Sequence, residues 1–174
     1  MKNMPTPAVL HLANSSAVRY AQLFPLKEDV QVECNRGVNG IEGSLSTALG
    51  FAYADKRSQF IMIGDLSFFY GMNALWMGGI RPNTHILLLN NNGGGIFKTL
   101  PTPKIGLVEA PHNATAQAWA EACGMQYKAV VRQEDWAEAL QLLCSENTKQ
   151  AVLVEAFTDS EKDAEILRKF YRDH

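Results

Sequence analysis

Phe60-Ile-Met-Ile63-Gly64-Asp65-Leu66-Ser67, then Phe68, Met72, Leu75 and Trp76, then His85-Ile-Leu-Leu-Leu89-Asn90-Asn91-Asn92-Gly93-Gly94-Gly95: this stretch decides the fold. Its first run is short, apolar and rich in β-formers, and it stops at a glycine, as a buried strand does. The next apolar residues fall at helical spacing. The second run is again strand-sized and ends in a glycine-rich turn. A strand, a helix and a strand in that order join as a parallel crossover.

Working outward, the same alternation continues. On the N-terminal side, Val9-Leu-His-Leu-Ala13 predicts a strand, Ser15 to Phe24 a helix and Val30-Gln-Val-Glu-Cys34 a strand. Ile41, Leu45, Ala48, Leu49 and Ala52 line one helix face. On the C-terminal side, a proline-containing loop runs from about Asn92 to His112. Thr115 then caps a helix through Cys123, stopped by Gly124. Tyr127 to Val131 predicts a strand, Trp136 to Leu143 a helix and Ala151 to Val154 the last strand. Ser160-x-x-Asp163 opens the final helix like a capping box, with Ile166, Leu167, Phe170 and Tyr171 as its buried stripe. The expected fold is therefore α/β and three-layered, with a mainly parallel six-stranded sheet and helices on both faces. His11 and His85 fall inside strands, and Trp76, Trp119 and Trp136 fall on helix faces, so all five are expected to pack in or beside the core.

The chain has 174 residues, 47% hydrophobic and 20% charged, which suits one globular domain over residues 1–174. With 16 basic and 18 acidic residues and a net charge of −2, it lacks the electrostatic footprint of a nucleic-acid binder. No apolar run is long enough to span a membrane, and no secretory signal opens the chain. Three cysteines, Cys34, Cys123 and Cys144, with no CxxC spacing, fit reduced thiols in the cytoplasm.

Ligands of open parallel sheets sit beyond the carboxyl ends of the strands. Those ends are Asn14-Ser15, Asn35-Arg36-Gly37, Gly64-Asp65 and the Asn/Gly run from Asn90. Asp65 offers a hard carboxylate oxygen suited to Mg²⁺, at the start of a helix whose N–H groups form a phosphate seat. Asn91, one helix and one strand further on, offers an amide oxygen. Each alone has an ordinary reading: Asp65 as a helix cap, Asn-Gly as a turn. Together they describe a metal–diphosphate site in which ligand phosphates complete the coordination. Competing motifs are missing: no P-loop, no dinucleotide G-x-G-x-x-G, no nucleophile elbow and no zinc-like His/Cys spacing. No acidic pair near the first strand end supports a phosphoacceptor role for Asp65. His112, in the long loop, has no assigned role.

The Gly64-Asp65 … Asn90-Asn91 pair resembles the metal–diphosphate motif of thiamine-diphosphate enzymes, in the domain that binds the diphosphate. The flanks Asn14-Ser15-Ser-Ala-Val-Arg19, Asn35-Arg36-Gly-Val-Asn-Gly-Ile-Glu-Gly43, Gly64-Asp65-Leu-Ser67, Asn90 to Phe97 and Glu109-Ala-Pro-His112 look like the menaquinone-pathway carboligases of that family. The resemblance covers essentially the whole chain but only the C-terminal third of such an enzyme. It implies a transferase that decarboxylates 2-oxoglutarate and adds the resulting carbanion equivalent to isochorismate. It implies thiamine diphosphate with Mg²⁺ or Mn²⁺ as cofactors, and a homo-oligomer for the full enzyme.

Carried over by position, Asp65, Asn91 and the main-chain carbonyl of Gly93 would bind the metal. Gly40, Gly64, Leu66 and Ser67 would line the cofactor, and Ile41 would be the wedge beneath its thiazolium. Ser15, Arg19 and Arg36 would face the substrates, since guanidinium forks fit dicarboxylates. Ile96, Phe97 and Leu100 would form an apolar wall. The family's cofactor-activating Glu has no counterpart here. It is expected on the N-terminal pyrimidine-binding domain of a partner subunit; that domain and the middle domain are absent from this chain, which alone is expected to be inactive. Two other readings stand beside this one: a domain of another 2-oxo acid decarboxylase or acetolactate synthase-like enzyme, and a non-catalytic α/β assembly module.

Overall fold

The computed structural model describes residues 1–99 and 106–173. Its strands are β1 (Ala8–Leu12), β2 (Val30–Cys34), β3 (Ser58–Gly64), β4 (Thr84–Asn90), β5 (Gln126–Val130) and β6 (Val152–Phe157). They form one sheet in the order β2-β1-β3-β4-β6-β5, with every pairing parallel. The chain leaves β1 toward one side, to β2, and returns across it to β3. That makes the β1/β3 boundary a topological switch point, where the carboxyl ends diverge and leave a crevice.

The helices are α1 (Ser16–Gln22), α2 (Ser44–Ala54), α3 (Asp65–Gly71), α4 (Gly106–Glu109), α5 (Gln117–Ala122), α6 (Trp136–Leu143) and α7 (Ser160–Asp173). Alternate residues of each central strand feed opposite cores. Ile61, Ile63, Ile86, Leu88 and Leu153 pack with Leu45 and Ala48 of α2, Phe68 of α3 and Ala120 of α5. Leu10, Leu12 and Phe60 pack with Val18 and Ala21 of α1, and Val152, Val154 and Ala156 with Ala139 and Leu143 of α6. The period-two alternation of a parallel sheet covered on both faces accounts for the near-continuous apolar runs.

Several local expectations are corrected. The helix over the Ile41 pattern begins only at Ser44, because Gly43 at φ 82 turns the chain first, so Ile41 lies in the preceding loop. Helix α5 starts at Gln117, and no side chain caps it, so Thr115 is not its cap. Asp159, not Ser160, caps α7: its Oδ1 accepts the Glu161 and Lys162 N–H groups at 2.9 and 3.0 Å. The buried residues of α7 are Ala164 and Leu167, while Ile166 and Tyr171 are exposed. Trp76 is also exposed, because α3 ends at Gly71 and the chain tightens into a 3₁₀ segment, Met72–Met77, which changes the rotation per residue.

His11 and His85 are buried as expected. His85 stacks on Phe60 with ring centroids 4.9 Å apart, and its Nδ1 has no hydrogen-bond partner among the described residues. Burial lowers its pKa from 6.5 to about 4. The fold thus holds this imidazole neutral, whereas the unfolded chain takes up the proton near pH 6.5. The associated stability is complete above that pH and drains as pH falls toward 4. From about pH 7 to about pH 5, this group alone is expected to remove ~2 kcal/mol. Urea denaturation at both pH values checks it: His85→Leu should shrink the acid-induced loss by that amount, and an unchanged loss would refute it.

Candidate active site

The crevice at the switch point holds a cavity of about 170 Å³ lined from the ends of β1, β3 and β4. Asp65 stands at the β3–α3 junction and is 3% exposed. Its Oδ1 accepts the Leu66 N–H at 2.7 Å and its Oδ2 accepts the Gly93 N–H at 2.8 Å. Burial raises its pKa, while these two N–H groups and His112 pull it back. The carboxylate therefore has its orientation fixed by backbone but has no Lys or Arg partner among the described residues.

Three consecutive glycines carry the chain past Asp65 at close range. A Cβ on Gly93, whose φ is +148, would lie 2.6 Å from the Glu109 carbonyl oxygen. One on Gly94 would meet the Phe97 ring at 2.9 Å, and one on Gly95 the Asn91 amide at 2.5 Å. The Asn91 Nδ2 donates to Asp163 Oδ2 at 3.4 Å, which leaves its Oδ1 available to a cation. Asp163 itself accepts from the Thr158 hydroxyl at 2.6 Å.

Asn14, 1% exposed, ties the β1 and β2 ends together. Its Nδ2 donates to the carbonyls of Asn35 and Gly40 at 2.7 and 2.6 Å, and its Oδ1 accepts from Arg36 at 3.0 Å. That holds the loop carrying Ile41, whose carbonyl also accepts the Ser67 hydroxyl. Ile41 thereby sits on the cavity wall beside Gly64, Asp65, Leu66 and Ser67. Ser15 lines the same cavity with a left-handed φ of 74, a strained conformation for a residue with a Cβ.

Of the residues singled out from sequence, Ser15, Ile41, Gly64, Asp65, Leu66, Ser67, Asn91, Gly93, Ile96 and Phe97 share this cavity. Gly40 does not line it and contributes through its carbonyl to Asn14. Arg19 does not line it either: its guanidinium folds back on the Ser15 carbonyl at 2.8 Å. Arg36 is exposed and reaches the cavity only through Asn14. Leu100 lies outside the described residues.

The structure adds residues that spacing did not single out. Tyr20, Thr158 and Asp163 line the cavity. Burial and the neighbouring Asp163 charge push the Tyr20 phenol up to about 12. His112 acquires a place: its Nδ1 accepts the Ala114 N–H at 3.0 Å, so its proton resides on Nε2, which faces Asp65 Oδ2 at 3.3 Å. Its ring also meets Phe69 edge-on at 5.3 Å. No short-range sequence pattern links His112 to Asp65; only the returning loop does.

This donor set fits a hard divalent cation. A buried carboxylate with no Lys or Arg partner among the described residues, an amide oxygen released by its own NH₂ contact and a glycine-lined approach leave room for oxygen coordination completed by a ligand. Asp65 and Asn91 would hold the ion.

A family model described as "Thiamine pyrophosphate enzyme, C-terminal TPP binding domain" matches residues 14–156. Proteins named 2-succinyl-5-enolpyruvyl-6-hydroxy-3-cyclohexene-1-carboxylate synthase are similar over nearly the whole chain. The one from Phocaeicola vulgatus is 52% identical over 98% of this chain and 32% of its own length. That from Bacteroides thetaiotaomicron is 49% identical over the same shares. That from Flavobacterium psychrophilum is 38% identical over 99% of this chain and 32% of its own. The chain thus spans about a third of the length of these relatives.

Proposed function

Because the chain belongs to the thiamine pyrophosphate enzymes, as their C-terminal TPP binding domain, we propose that residues 1–174 form the diphosphate- and metal-holding part of a carboligase. Its reaction joins a decarboxylated 2-oxoglutarate fragment to isochorismate, giving 2-succinyl-5-enolpyruvyl-6-hydroxy-3-cyclohexene-1-carboxylate. The observation that carries this reading is the convergence of Asp65, Asn91 and Ile41 on one cavity at the sheet's switch point. The similar proteins are named for the synthesis of that product, which supports this choice of reaction.

Bound thiamine diphosphate supplies the electron sink that makes loss of carbon dioxide from a 2-oxo acid accessible. The protein's part is placement. Asp65 and Asn91 bind Mg²⁺ or Mn²⁺ and through it fix the diphosphate. Ile41, immobilised through its own carbonyl on Ser67 and through the Asn14 clasp, presents a rigid apolar edge where a bent cofactor would rest. Ile96 and Phe97 line the same cavity and would form an apolar wall beside the reacting carbons. Ser15 lines the cavity, and its hydroxyl would hydrogen-bond substrate. Arg19 and Arg36 do not line the cavity and would have to leave their present partners, the Ser15 carbonyl and Asn14, to meet substrate carboxylates.

No Glu lines the cavity among the described residues. The family resemblance implies that the cofactor-activating carboxylate comes from a pyrimidine-binding domain of a partner subunit in a homo-oligomer. Three free cysteines fit a reducing compartment such as the cytoplasm, and no described helix is long and apolar enough to cross a membrane.

A chimera tests the assignment. This chain replaces the matching third of the Phocaeicola vulgatus synthase, and carbon dioxide release from 2-oxoglutarate is followed with and without isochorismate. Isochorismate-dependent product formation is the expected result. Turnover of a different 2-oxo acid, with none of 2-oxoglutarate, would move the chain to another branch of the family. No turnover with any 2-oxo acid by a folded chimera would favour a non-catalytic module.

A further inference from the structure

Strand β6 carries a Glu in the middle of an apolar run, Val152-Leu-Val-Glu-Ala-Phe157, in register between Leu88 and Ala129. Glu155 is fully buried and lies outside the cavity. Burying a carboxylate is strongly unfavourable unless donors surround it. Here they do. Its Oε1 accepts the Asn90 Nδ2 at 2.8 Å, its two oxygens share the Ala116 N–H at 3.2 and 3.0 Å, and its Oε2 accepts the Tyr127 hydroxyl at 2.7 Å.

The two loop-side partners occupy opposite ends of one excursion. The chain departs at Asn90, passes Asn91 and Gly93, and returns through His112 to Ala116. Asn90 is itself fully buried. Its Nδ2 also donates to the Ala114 carbonyl at 3.0 Å, and its Oδ1 accepts the Asn92 N–H at 3.1 Å. One carboxylate thus clamps the exit and the return of the segment that presents Asn91, the Gly93 N–H and His112 to Asp65.

We propose that Glu155 is a positioning residue that acts through Asn90 and the Ala116 N–H to set the geometry of the cation-binding face. Both loop-side partners donate to it, and two oxygens with a full charge serve them best. A Gln whose single oxygen stays on Asn90 keeps only the longer 3.2 Å contact to the Ala116 N–H and loses the charge, so the return end of the clamp loosens. The inference rests on the reading of Asp65 and Asn91 as metal ligands, and its test keeps the two apart.

Amide hydrogen exchange on the chain compares wild type, Glu155→Gln and Tyr127→Phe, the last removing one bond that does not reach the loop. Exchange at Asn92, Gly93 and Ala116 is expected to accelerate by roughly tenfold or more in Glu155→Gln. The amides of β1 and β3 should stay protected, and Tyr127→Phe should leave the loop amides nearly unchanged. Acceleration spread evenly over the sheet, or none at these three amides, overturns the proposal. Should Glu155→Gln not fold, Asn90→Ala removes the loop side of the clamp and must give the same local pattern. A parallel titration with thiamine diphosphate and Mg²⁺ should show roughly tenfold weaker Mg²⁺ dependence in Glu155→Gln. A wild-type chain with no Mg²⁺ dependence would sink the metal reading, while the exchange pattern still decides the clamp.

Discussion

Asp65→Ala is expected to erase the Mg²⁺ dependence of thiamine diphosphate binding, lowering the apparent affinity by more than about 100-fold. Losing a residue that merely supports a metal ligand commonly weakens binding by roughly 10- to 100-fold, and Asp65 is the only ionised oxygen donor assigned to the ion. The carboxylate is buried, and burial raises its pKa, so the apo fold bears a penalty that a cation would relieve. Removing it lifts that penalty and strands the Leu66 and Gly93 N–H groups, two opposed effects of similar size. The ligand-free thermal midpoint should therefore move little while binding collapses. Calorimetric titration in Mg²⁺ and in chelator reads the affinity, and a ligand-free thermal melt reads the midpoint. Binding by wild type that ignores the metal, or binding by the variant that matches wild type, would contradict the assignment.

The fold was legible because the central strands are short apolar runs, because β1 to β4 end at or within two residues of Asn or Gly, and because parallel order follows from the intervening helices. Asp65, Asn91 and the Gly93–Gly95 run were legible for a related reason: they sit at or just past strand ends, and strand ends converge in this topology, whereas Ile41, in the loop before α2, was singled out for the site only by the family resemblance. What sequence could not give was long-range partnership. Asp163 meets Asn91 only because α7 folds back from β6, and His112 meets Asp65 only because the long loop returns. Glu155 carries no signal in the local pattern, because its donors come from β4, β5 and the approach to α5. The misplaced caps share one local cause. Ser160 and Thr115 have the chemistry of caps, but Asp159 bonds the first N–H groups of α7, and Glu155 takes the Ala116 N–H just before α5. Trp76 was misjudged because a change from α to 3₁₀ winding shifts a side chain's direction without changing its spacing.

Two glycine substitutions separate the geometry of the loop from the stability of the fold. In Gly93→Ala the new Cβ meets the Glu109 carbonyl oxygen at 2.6 Å, and the residue is held at φ +148, which side chains rarely tolerate. The obstacle is backbone: the same Glu109 carbonyl accepts the Gly94 N–H at 2.6 Å, so it cannot turn aside without breaking that bond. The Gly93 N–H must then leave Asp65, and the segment carrying Asn91 moves with it. Strain of this kind amounts to roughly 1–3 kcal/mol, a fall of several degrees in thermal midpoint for a chain this size. Mg²⁺-dependent cofactor binding should fall by about 100-fold, because both ligands are displaced at once. Gly95→Ala differs in what it strikes. Its Cβ would meet the Asn91 Nδ2 at 2.5 Å, the far end of a side chain that can rotate. The amide swings away from Asp163 and carries its oxygen off the ion, so affinity should drop by roughly tenfold with the midpoint nearly unchanged. Measured together, the pair isolates one ligand from the whole loop. If Gly93→Ala bound cofactor like wild type while losing stability, the glycine run would serve folding alone, and the cation would have to be held without it.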